Sequence, residues 1–179
     1  MNPPTTKNTA HPSGSTQARN LRWLLANLVD EVPGVLSVAV VSSDGLLLLS
    51  SEPVTREPVP GEPTDAEAPG GEARPAERGP KGSSADLATI VSGLGSLTAG
   101  AAKLMDGGGV RQTMVAMDEG SLFVMSISDG SLLGVHAAPD CDMSVIAYHM
   151  ALFVGRAGHV LTPELRTELR TSMELELEQ

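Results

Sequence analysis

The chain has 179 residues and 41% hydrophobic content, one domain's worth of sequence with enough apolar side chains to bury a core. Its 12 Lys and Arg against 22 Asp and Glu leave a net charge of −10, which repels phosphate backbones and argues against nucleic acid as a partner; the aromatics Trp23, Phe123, Tyr148 and Phe153 are too few for a base-stacking platform or a carbohydrate cleft. The lone Cys141 forms no intramolecular disulfide and no Cys-based zinc cluster, the N-terminus lacks the apolar run of a signal peptide, and no unbroken membrane-spanning stretch is read, so a cytoplasmic protein is expected, with any recruitment to a membrane made through its partners.

Residues 1–15 hold three prolines and little that can be buried, and read as a disordered tail. Leu21, Leu24, Leu25, Leu28, Val29 and Val32 then recur at helical spacing on one face, and Pro33-Gly34 ends that helix. Val35 to Val41 and Leu46 to Ser50 flank Ser42-Ser43-Asp44-Gly45, a hairpin signal because Asp and Gly tolerate positive φ. Residues 52–82 follow with seven prolines, five glycines, seven acids and four bases, and alanine and valine as their only apolar side chains, which reads as a disordered insertion within one domain spanning 16–161.

Ser83 and Asp86 have the spacing of a capping box for a second helix. Its large apolar positions Leu87, Ile90, Val91, Leu94, Leu97, Ala101, Leu104 and Met105 are read as one core-facing side, and Gly107-Gly108-Gly109 as its stop. Val110 to Asp118, Ser121 to Ser128 and Ser131 to Ala138, parted by Glu119-Gly120 and Asp129-Gly130, predict an antiparallel meander. Asp140 or Asp142 caps a last core helix through Met143, Ile146, Met150, Phe153 and Ala157 that ends near Gly158. Thr162-Pro163-Glu164 opens a charged C-terminal extension over 162–179 whose Leu165, Leu169 and Met173 line one face; a helix this short needs a partner surface or frays, so these three are expected to form an extension contact.

Nothing in the pattern supports catalysis, and no catalytic, cofactor-binding or metal-ligating residue is nominated. Cys141 sits between two aspartates, which disfavour its thiolate; His11, His136, His149 and His159 lack metal-ligand spacing; the triple glycine follows a helix instead of opening one; and Asp44, Asp118, Glu119 and Asp129 fall in predicted turns. The second helix does carry a feature. Ala88, Ser92, Gly95, Ala99 and Ala102 repeat at spacings of 4, 3, 4 and 3, a seam of small residues that lets another helix approach closely, and it is expected to serve as a dimer or partner surface.

The element order α-β-β-α-β-β-β-α resembles the roadblock domain of the dynein light chain and bacterial mutual gliding protein B superfamily. The resemblance rests on the helix leading into Val32-Pro33-Gly34-Val35, on Val40-Val41-Ser42-Ser43-Asp44-Gly45-Leu46, and on the order of Leu94 to Met105, the meander, and Asp142 to Ala157. Within that family the chain looks most like the roadblock proteins of actinobacterial conservon operons, which are encoded beside a sensor-kinase-like protein and a Ras-like GTPase. The resemblance implies an α+β fold: a five-stranded antiparallel sheet with the second helix on one face and the first and last on the other. It also implies homodimers joined through the second helix and the third strand, here around Arg111, Thr113, Val115 and Met117. The paired helices would form a platform for a Ras-like small GTPase whose hydrolysis is stimulated by remodelling the GTPase's own residues. The function it implies is a non-enzymatic homodimeric regulator of that GTPase. The alternative is a scaffold or sensor module of a membrane kinase complex that leaves hydrolysis unaffected. The insertion at 52–82 departs from the short connection usual in the family.

Overall fold

The computed structural model describes residues 15–51 and 84–177; the tail up to residue 14, the insertion at 52–82, Ser83 with the capping box expected of it, and residues 178–179 lie outside them. The chain begins with α1, Thr16–Glu31, where the Ser15 hydroxyl accepts a hydrogen bond from the Ala18 N–H at 3.1 Å and so satisfies one of the free donors of the first turn. The helical stripe read from the sequence is the buried one: Leu21, Leu25, Leu28 and Val29 face inward, with Val32 just beyond the last turn. Gly34 takes φ +85°, and a Cβ there would lie 2.9 Å from the Cβ of Cys141, so glycine is needed both for the exit angle and for the close approach.

The hairpin of β1, Val35–Val41, and β2, Leu47–Ser51, follows. Its turn is closed by Ser42 N–H to Leu46 O at 2.8 Å and Gly45 N–H to Ser42 O at 3.0 Å, and the Ser42 hydroxyl donates to the Asp44 carboxylate. After α2, Ser84–Leu104, come β3, Gln112–Met117, β4, Gly120–Ser126, and β5, Leu132–Ala137. α3, Met143–Val160, is capped by Asp142, whose Oδ1 accepts from Ser144 N–H at 2.9 Å and Val145 N–H at 3.2 Å. It runs past Gly158 instead of stopping there. That glycine is a packing site, since a Cβ on it would collide with the Ser128 hydroxyl.

The five strands form one antiparallel sheet in the order β2-β1-β5-β4-β3, with α1 and α3 on one face and α2 on the other. Alternation along β1 sorts the two layers: Val38 and Val40 meet α1 and α3, while Ala39 and Val41 meet α2. A sheet covered on both faces explains why β1 and β4 read as almost continuous apolar runs.

The extension forms α4, Pro163–Leu177, with the Thr162 hydroxyl accepting from Leu165 N–H at 3.3 Å at its start. It is part of the domain's own core. Leu165 and Leu169 are buried in the same cluster as Leu21, Leu25 and Leu48, on the face shared by α1 and α3, and Met173 is half-buried further out. The partner surface this helix needs is supplied by its own chain, which corrects the expectation of an extension contact to another molecule.

On the opposite face α2 touches the sheet along a narrow line, through two reciprocal fits. A Cβ at Gly134 of β5 would collide with Val91 Cγ2, and a Cβ at Gly95 of α2 would collide with Leu132 Cδ1. Val91 thus drops into the space over Gly134, and Leu132 rises into the space at Gly95. Because Val91 is branched at Cβ and fully buried, it has little freedom to give way. Gly134→Ala is therefore expected to lower stability by about 1–3 kcal/mol, read as a fall in the midpoint of urea unfolding. An unchanged midpoint would show that α2 rides on the sheet without this fit.

Candidate functional site

The face formed by α2 and β3 leaves a row of large apolar side chains uncovered. Ile90, Leu97 and Leu104 lie seven residues apart on one side of α2 and are 52%, 70% and 90% exposed, with Met105 exposed beyond them. Beside them lies β3, whose one strand partner among the described residues is β4, so that among these residues its outer row of backbone donors and acceptors is open at the edge of the sheet. On β3, Thr113 and Val115 are half-buried and Met117 is exposed; their register opposite Val124, Leu122 and Gly120 puts all three on the α2 side of the sheet. Arg111 sits just before the strand and is exposed.

The small-residue seam is placed differently from the expectation. Ala88 is buried in the cluster with Ala39, Val41, Val91, Leu122 and Val124, and Ser92 and Gly95 are half-buried against the chain's own hairpin and β5. Ala102 is half-buried and only Ala99 is exposed. The first part of the seam is thus what lets α2 lie close to its own sheet, and the large residues read as core-facing divide between two directions. Val91, Leu87 and Leu94 pack inward, while Ile90, Leu97 and Leu104 point away. Physically, the apolar positions of α2 cover too much of the helix circumference for one contact, so one side remains uncovered when the other is buried. The signal was present in the sequence as the seven-residue recurrence of Ile90, Leu97 and Leu104. By length and composition alone Asp86–Leu104 is also apolar enough to cross a membrane, against the sequence reading; in this fold it lies along the sheet.

Between the second half of α2 and the sheet is a cleft lined mainly by hydroxyl and small side chains, among them Ser92, Ser96, Thr98, Thr113 and Ser126. Thr98 donates to Leu94 O at 2.7 Å and Thr113 donates to Thr98 at 3.4 Å, so these hydroxyls are used within the protein. Among the described residues no acid, base or cysteine lines it. Among the described residues no three His, Cys, Asp or Glu side chains gather as metal ligands.

The titrating groups with shifted affinities serve the fold. Glu168 of α4 accepts from the Ser15 backbone N–H, and that bond, joined by the Ser15 hydroxyl, holds its carboxyl below the usual range. The bond from the Ser42 hydroxyl does the same for Asp44, helped by its own backbone N–H and by Arg170 and Arg166. A carboxylate whose folded pKa is lowered stabilises the fold above its unfolded pKa and loses that contribution as pH falls through the folded value. The thermal midpoint is thus expected to be flat from neutral pH to about 5 and to fall below about pH 4. Glu168→Gln should flatten that fall; a Gln variant with the wild-type acid profile would remove Glu168 from the account.

Residues 74–137 match the Roadblock/LC7 domain family. The solved Roadblock/LC7 domain from Streptomyces avermitilis is 30% identical, with 79% of this chain aligned to 98% of that one at a TM-score of 0.58. This chain belongs to the Roadblock/LC7 family. The fold is shared more widely: the gliding protein mglB from Thermus thermophilus aligns at a TM-score of 0.62 and 15% identity, over 84% of this chain and 97% of its own. MglB of Myxococcus xanthus aligns at 0.59 and 13%, over 79% and 94%. No curated protein gives a significant match. The five-stranded antiparallel sheet and the placing of α2 on the face opposite α1 and α3 are those that the resemblance implied.

Proposed function

We propose that this roadblock protein is a non-enzymatic homodimeric regulator that binds a Ras-like small GTPase and alters its nucleotide state. The observation that carries the reading is the uncovered apolar row of Ile90, Leu97 and Leu104 on α2, set beside the open edge of β3. A row of large aliphatic residues at seven-residue spacing suits a second helix of the same kind, and an open strand edge suits an antiparallel strand, so two copies related by a two-fold axis cover both features at once. The paired α2 helices then offer the GTPase a surface built from both protomers.

The test is light scattering coupled to size exclusion, on the protein alone and mixed with a Ras-like GTPase loaded with GDP or a GTP analogue. A two-protomer mass that captures the GTP-loaded form in preference is expected, because a regulator must bind the two nucleotide states with different free energies. Capture that ignores the nucleotide would favour a scaffold. A monomer would overturn the reading.

A further inference from the structure

The other face of the domain carries a second uncovered surface that the α2 and β3 contact leaves untouched. A groove runs between α1 and α3, floored by Leu24, Leu28 and Phe153 and walled by Leu152. Along its rim stand the chain's single tryptophan and single tyrosine: Trp23, four residues before the groove-lining Asn27, is 62% exposed, and Tyr148, four residues before Leu152, is 61% exposed. The Tyr148 ring meets that of His149 edge-on at 5.5 Å, which braces it in place. Large aromatics beside an apolar trough are what contact surfaces use, because they bury much area at little cost in conformational entropy.

The two ends of the groove differ in charge. α1 runs into β1 and α3 leaves β5; these strands are antiparallel, with Val35 opposite Ala137, and Ala138 N–H donates to Gly34 O at 2.7 Å. The end of α1 and the start of α3 therefore lie together, and the two helices run antiparallel. Glu31, in the last turn of α1, marks that end of the groove, and Arg156, late in α3, marks the other. Both are exposed, and neither has an ion partner among the described residues.

We infer that the α1–α3 groove is a self-association surface, covered by the same groove of a second copy of this chain. A trough with an acid at one end and a base at the other is complementary to itself when turned about a two-fold axis, which sets Glu31 of each copy against Arg156 of the other and buries the aromatic rim of both. Together with pairing through α2 and β3, this contact makes a four-protomer assembly.

Trp23 reports on the groove directly, since burial shifts tryptophan emission to shorter wavelength and no other tryptophan interferes. On raising the concentration of the full chain, the mass is expected to pass from two to four protomers with a blue shift of Trp23 emission. Leu152→Glu should abolish both changes and leave two protomers. Glu31→Arg should weaken the step about tenfold, and Glu31→Arg with Arg156→Glu should restore it, a rescue that loss of folding would not give. A Leu97→Glu variant, blocked at α2, should still pair with the blue shift. If it stays monomeric at every concentration while the wild type is a dimer, this inference fails and the α2 contact stands. If Leu152→Glu alone removes all association, the α2 contact fails and this inference stands. Constant Trp23 emission in the wild type overturns it outright.

Discussion

Leu97→Glu is expected to weaken pairing through α2 by about 30-fold or more, the scale of a central contact residue, while leaving the protein folded. Leu97 is 70% exposed in the single chain, so a carboxylate there is fully hydrated and costs the monomer little. In a helix pair the same position is enclosed by aliphatic side chains, and a buried unpaired carboxylate is strongly disfavoured. Circular dichroism should show wild-type helix content, light scattering a loss of mass at micromolar concentration, and capture of the GTPase should fall with it. A variant that keeps both its mass and its GTPase would remove α2 from the interface. Gly95→Leu is the less informative substitution. Gly95 faces Leu132 of the chain's own sheet, so the change would disturb folding and association together.

The second large effect is expected at α4. Leu169 is fully buried, and Leu169→Ala leaves a cavity in the core shared with α1 and β2; about 2–5 kcal/mol of stability should be lost, on the order of 10 °C in the thermal midpoint. Against a total of roughly 5–15 kcal/mol for a domain, that loss approaches unfolding. Removing the chain from Thr162 onward should be worse, because it withdraws Leu165 as well as Leu169 and uncovers the apolar residues that they touch. A truncated protein that melts like the full chain would make α4 an appendage after all. Met173→Ala, at a half-buried position, serves as the control with a smaller effect.

Much of the fold was legible because local chemistry and the tertiary arrangement agree. Ser15 and Asp142 cap helices, Gly45 and Gly130 hold the positive φ their turns require, and the stripe from Leu21 to Val32 is buried as its spacing implies. The candidate surface was less so. β3 stood out only through the family resemblance, since the alternation of Thr113, Val115 and Met117 looks the same in an edge strand as in a central one until the pairing is known. The aromatic rim of Trp23 and Tyr148 left no periodic signal, because each is a single residue beside a stripe whose main face is core.

The amino-acid sequence by itself determined the elements, their order, the turns between them and the family, because these depend on periods, caps and glycines that act within a few residues. Only the tertiary structure decided which side of α2 is covered and whether Leu165 and Leu169 belong to this chain's core or to a partner's. Hydrophobic burial has no direction of its own: an apolar side chain is satisfied by any surface that excludes water, and which surface that is depends on how the sheet and helices stack.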